Sequence, residues 1–235
     1  MRRLLRLSLV VVLALVAVAC GGDDDDDDDT GAGSDTQTSA DAQDTLDGAL
    51  LSADDLGDGW ELTKTTPAGQ DDQDDSPIDE CAPDQAEAND LAETEDREFE
   101  RTGSALVPSR VQISGGGTED PAKIDRIHEL LDSAEFQSCF AEKFEEAVAQ
   151  EGTEVSAGEP KSETSIVDVD GIRSTELSLP LTISAEGASV TIDFSFVVVS
   201  TDTLGMGLIV LSSEDEVTQD DIASWATTIG ERLAA

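Results

Sequence analysis

"STELSLPLTISAEGASVTIDFSFVVVSTDTLGMGLIVLS", residues 174 to 212, decides the fold. Leu177, Leu179, Leu181 and Ile183 alternate with polar residues, the period that turns one face of a strand toward a core. Glu186-Gly187-Ala188 supplies a turn, after which Val190, Ile192, Phe194, Phe196 and Val198 repeat the alternation. A second turn near Thr201-Asp202 leads to Leu204, Met206, Leu208 and Val210. The pattern predicts three consecutive strands joined by short turns, an antiparallel meander.

The opposite face of this meander changes character along its length. Ser178, Thr182, Thr191, Asp193 and Ser195 suit water, whereas Val197, Val199, Ile209 and Leu211 do not. Taken with Gly205 and Gly207, which add no side chain, these four outline a shallow apolar trough. Two readings stay open. In the preferred one a helix or the N-terminal segment covers this end and makes it ordinary core. In the other the trough binds an apolar ligand or a partner's helix.

Working outward, the totals bound the rest. The 235 residues allow one domain with appendages, and 54 acidic against 13 basic side chains give a formal net charge of -41. Such a field repels phosphates, so nucleic acid is excluded as a partner. It also disfavours contact of the folded part with an anionic lipid surface. The chain has no Tyr and few other aromatic residues, which argues against stacking on sugars or bases.

The chain begins "MRRLLRLSLVVVLALVAVAC": arginines, an apolar run from Leu7 to Ala19, then Cys20. This order reads as a secretory signal over residues 1–19, too short for a stable membrane span. Ala17-Val18-Ala19-Cys20-Gly21 resembles the bacterial lipobox, although Ala17 stands where Leu is usual, and the resemblance implies a diacylated Cys20 at the mature N-terminus. Residues 20–45 then form an acidic tether with almost no apolar side chain to offset the entropy of ordering. Fully extended, it reaches roughly 80 Å. The run Asp23 to Asp29 lacks the spaced ligands and glycine turn of a calcium loop and reads as a solvated spacer.

A single globular domain is expected over residues 46–235. Ser52 and Asp55 resemble a helix cap, Gly57 and Gly59 stop any short helix, and Trp60 opens a strand as a core anchor. An acidic loop containing Cys81 follows, then a strand near Ala105 to Ser114 interrupted by Pro108. Thr118 is expected to cap a helix with Pro121 in its first turn and Ile124, Ile127, Leu130 and Leu131 on one face. A second helix carries Phe136, Phe140, Phe144 and Val148 at four-residue spacing, with Cys139 beside them. Strands are expected near Thr153 to Ser156 and Ser165 to Val169, and a last helix begins at Thr218 with Ile222, Trp225, Ile229 and Leu233 as its stripe.

Few side chains offer chemistry. Cys81 and Cys139 are the two cysteines beyond Cys20, and a pair exported to an oxidising compartment bridges; no CxxC spacing marks a redox pair. His128 is the sole histidine, at the border of an apolar helix face. One histidine does not make a zinc site of the usual kind, and neither HExxH, GxSxG nor a Walker loop occurs. Val167 to Gly171, "VDVDG", reads as a strand ending in a turn rather than part of a calcium loop. No cofactor and no metal are expected.

A lipobox and tether, then "LLSADDLGDGW", a loop cysteine, a strand, two helices with "SAEFQSCF", a long meander and a terminal helix: this order resembles actinobacterial exported lipoproteins and receptor-kinase ectodomains of the PknH-like sensor domain family. The similarity spans about residues 46–233 and implies an antiparallel sheet carrying helices, with a cleft that receives a ligand. Two disulfides are usual in that family, and the cysteines here allow one.

The fold expected is α+β, an antiparallel sheet of about five strands with helices on at least one face. The function expected is a non-catalytic, sensor-like or accessory binding domain, held by its lipid on the extracytoplasmic face of the cell membrane. Its partner would be a small apolar ligand or an envelope protein. The alternative is a carrier of an apolar ligand such as a lipid; a hydrolase is the third class.

Overall fold

The structure, a computed structural model, describes residues 39–69, 80–82, 91–101, 107–149, 153–185, 188–213 and 216–235. The leader, Cys20, the aspartate run and the Glu186-Gly187 turn lie outside them.

The meander is the centre of a larger sheet. Strands β7 (Arg173–Ala185), β8 (Ala188–Ser200) and β9 (Leu204–Ser213) pair antiparallel in sequence order. On the far side of β9 lie β4 (Ser109–Gly117), β3 (Asp96–Arg101) and β1 (Trp60–Thr66). Beyond β7 lies β5 (Thr153–Ala157), while β6 (Lys161–Thr164) also pairs with β7 and β2 (Ala92–Glu93) with β4. The class is α+β as expected, but the sheet has nine strands rather than about five. The additional strands are polar or short: "DREFER" and "KSET" bury at most one large side chain each, so they carry no apolar alternation to read.

Helices cover both faces. Helices α1 (Ser39–Ala49), α2 (Ala53–Leu56) and α5 (Gln219–Leu233) share one core with Trp60, Phe99, Val111, Ile113, Val197, Val199, Met206 and Leu208. Trp60 meets Trp225 edge to face at 5.8 Å, so its place is in the core. Gly230 of α5 permits a close approach, since a Cβ there would stand 3.2 Å from Ile172 and Val167. Helices α3 (Pro121–Asp132) and α4 (Ala134–Val148) pack on the other face. The phenylalanine stripe of α4 reaches Phe194, with centroids at 5.4 Å from Phe140 and 4.8 Å from Phe144.

Local chemistry sets most ends. Ser52 with Asp55 and Thr218 with Asp221 form capping boxes, each side chain answering the other residue's backbone N–H. Ser133 ends α3 and caps α4, its hydroxyl accepting from Phe136 N at 3.1 Å. Three expectations are corrected. Asp120, not Thr118, caps α3 by accepting from Ala122 N; Thr118 is buried and its hydroxyl accepts from Asp120 N. Helix α1 begins at Ser39, because Ala42, Leu46 and Ala49 give it an apolar stripe, so residues 39–45 belong to the folded part and not to the tether. Ser165 to Val169 is not a strand: Ser165 takes a φ of 61°, which breaks the extended path before Val167 turns into the core.

A polar cleft over a buried carboxylate as candidate functional site

Cross-strand register decides where the expected trough residues go. Phe196 stands opposite Ile209, Phe194 opposite Leu211 and Val198 opposite Gly207, whereas Val197 faces Leu208 and Val199 faces Met206. Paired residues share a face. Gly205, Gly207, Ile209 and Leu211 therefore lie on the phenylalanine side, and Val197 and Val199 lie on the side of α1 and α5. The six do not come together. Val197, Val199 and Ile209 are buried, and a Cβ on Gly207 would stand 3.4 Å from the Phe196 ring. The apolar trough is absent because the sheet is covered on both faces at this end.

Cys81 and Cys139 form a disulfide with Cα atoms 5.8 Å apart, fixing the loop segment at 80–82 against α4. Beside it, Lys143 pairs with Glu80 and Glu146, whose carboxylates raise the ammonium pKa.

His128 projects from α3 onto the phenylalanine face, where Nδ1 meets Thr175 Oγ1 and Nε2 meets Ser200 Oγ, both at 2.8 Å. Burial lowers its pKa to about 4, the Arg173 guanidinium adds to that, and Asp125 opposes it. A neutral imidazole beside a serine has the outline of a nucleophile and its base. Ser200 and Thr175 are both buried, however, so substrate has no route to either hydroxyl. The group is a polar brace tying α3 to β7 and β8.

An open concavity lies on the opposite face, where the start of α5 lifts away from β7, β8 and β9. It measures about 480 Å³ and is walled by Ser178, Pro180, Asp193, Ser195, Ser212, Thr218 and Gln219, among others, with Lys161 contributed by β6. Next to it stands Glu176, two residues before Ser178 on the same strand face and only 2 % exposed. Gln219 donates to its Oε2, and the Ser195 hydroxyl interacts with the same carboxyl. Its Oε1 has no hydrogen-bond partner among the described residues. Burial raises the Glu176 pKa, and Glu163, its neighbour across β6, pushes the same way against the two hydrogen bonds.

Against known proteins, no family model matches the chain and no curated protein matches it. Among solved structures, the extracellular domain of PknH from Mycobacterium tuberculosis matches at 9% identity, over 82% of this chain and 96% of that one, with a TM-score of 0.44. A likeness at that level assigns the chain to no family and no function.

Sequence reasoning missed Glu176, Ser195 and Gln219. Glu176 occupies a polar position of an alternating strand, which by itself gives no sign of burial. Its signal is its cross-strand partner, Val197, the first residue of the run Val197-Val198-Val199. A carboxylate laid against such a run is under cover.

Proposed function

We propose that this chain is a lipid-anchored, extracytoplasmic binding domain of the sensor-like or accessory kind, without catalysis of its own. The observation that carries the binding reading is the cleft beside α5, a concavity of small-molecule size with hydroxyl, amide and carboxylate groups converging on it. The chain's one histidine is spent in the brace on the other face of the sheet, which favours binding over acid–base chemistry at the cleft. The anchor rests on the sequence: the leader, Cys20 and the acidic spacer. No helix among the described residues is long and apolar enough to cross a membrane. The carrier alternative loses the surface on which it stood, since Val197, Val199 and Ile209 are taken up in the two cores.

Detergent partition and native mass spectrometry test the two halves of this reading. Cys20→Ala should leave an uncleaved precursor or move the protein to the culture fluid; processed Cys20→Ala protein still in the detergent phase would refute the anchor. Protein purified from its own membrane should carry a small-molecule mass that a cleft-filling Ser195→Trp variant lacks. The same mass on both proteins would refute the cleft as the binding site.

A further inference from the structure

Most buried polar groups in a stable fold find a partner, and an acceptor left without one costs free energy. Glu176 Oε1 is such an acceptor, on a side chain almost wholly withdrawn from water. The two groups that hold its carboxyl, Ser195 and Gln219, are walls of the cleft, so the orphan oxygen sits just behind the cleft surface. Gln219, exposed at the first position of α5, donates to Oε2 from the cleft wall. Of the two groups that hold the carboxyl it is the exposed one, the one a ligand would displace.

From this arrangement we infer that the cleft binds a small hydroxylated organic cation, with Glu176 taking its ammonium group. The inference rests on the binding reading above and names the ligand class for it. A charge-assisted hydrogen bond to a desolvated carboxylate is stronger than a neutral one, which makes the ammonium the discriminating contact. Ser178, Ser195, Ser212 and Thr218 line the cleft, and although each hydroxyl already bonds within the protein, each keeps a donor or lone pair to share with a hydroxyl of the ligand. The acidic field of the chain draws cations toward the site. Lys161 is the single basic residue in the wall and stands on exposed β6, at the rim. A metal ion fits less well, because among the described residues no three His, Cys, Asp or Glu side chains gather closely enough to hold one.

Isothermal titration of the detergent-solubilised full chain with D-glucosamine, at physiological salt, tests the inference. Binding should saturate at one per chain, and the neutral N-acetyl-D-glucosamine should bind at least about ten-fold more weakly. Glu176→Gln should lose the same factor, with Glu129→Gln on the exposed face of α3 as a control that changes nothing. Should Glu176→Gln fold poorly, Gln219→Lys serves instead. It offers Oε1 a cation from within the chain, so it should abolish glucosamine binding while keeping or raising thermal stability. No saturable binding at millimolar glucosamine, equal binding of the neutral sugar, or unaltered binding by Glu176→Gln and Gln219→Lys overturns the inference. The binding reading fails separately: if native mass spectrometry finds a Ser195→Trp-sensitive ligand while glucosamine fails, the cleft stands and the cation does not.

Discussion

Acidification should weaken the fold through His128, by an amount the structure sets. In the unfolded chain the imidazole binds its proton near the ordinary value of 6.5; in the folded protein, where burial and Arg173 outweigh Asp125, it does so only at about 4. The unfolded state therefore binds more protons as the pH falls. The stabilising contribution is fully present above 6.5, drains away across the interval, and is gone below about 4. At 1.36 kcal/mol per pH unit the interval amounts to a ceiling of about 3 kcal/mol. The ring is partly exposed, and solvent screening reduces the expected loss to about 1–2 kcal/mol.

The measurement is urea denaturation of the wild type and His128→Gln near neutrality and again near pH 4. Glutamine cannot titrate but still offers a donor and an acceptor to Thr175 and Ser200. Subtracting the two proteins is essential, because Glu176 works with the opposite sign. Its raised pKa makes a contribution that is present at low pH and lost as the pH climbs through the folded value. The difference cancels Glu176 and the surface carboxylates, leaving the histidine. On going to the acid condition the variant should gain about 1–2 kcal/mol relative to the wild type. A difference that stays constant with pH, or moves the other way, would show that the imidazole is not held neutral between the two hydroxyls.

Two further outcomes follow from packing and connectivity. The double variant Cys81→Ser with Cys139→Ser opens a loop of 58 positions. Chain entropy puts the loss near 4 kcal/mol at most, read as a lower denaturation midpoint with the fold retained through the phenylalanine cluster; an unchanged midpoint would refute the bridge as a stabiliser. Gly207→Leu pushes a side chain into the Phe196 ring and should cost about 1–3 kcal/mol in thermal denaturation. Unchanged stability would reinstate an open surface there.

Strand and helix identity was legible wherever apolar period and capping residues agreed. The β7 to β9 meander, the phenylalanine helix, the Ser52 cap and the Thr218 start all rest on such agreement. Register was not legible. Alternation groups residues within one strand, but β8 and β9 are apolar on both faces near this end, so either of β9's two sets could meet Phe194 and Phe196. Choosing Leu204, Met206, Leu208 and Val210 for that side assembled a trough from residues that lie on opposite faces. The cleft was hidden for a related reason. It is made where a helix start clears the sheet, and that distance depends on how Gly230 and Trp225 seat α5 far down the helix.

The pairing of β4 with β9 bears on the order in which this molecule is assembled. Val111 meets Val210 across that junction, and the first and last helices are neighbours as well, Arg232 donating to Leu50 O at 3.0 Å and pairing with Asp55 at 2.6 Å. A chain delivered N-terminus first, from a ribosome or a translocation channel, can pair β1, β3 and β4 with one another, but the second edge of β4 and the apolar face of α1 wait for β9 and α5. The hairpins of β7, β8 and β9 close over short loops and form quickly, but they arrive last. Until β9 follows, β4 keeps an open strand edge in reach of chaperones and proteases.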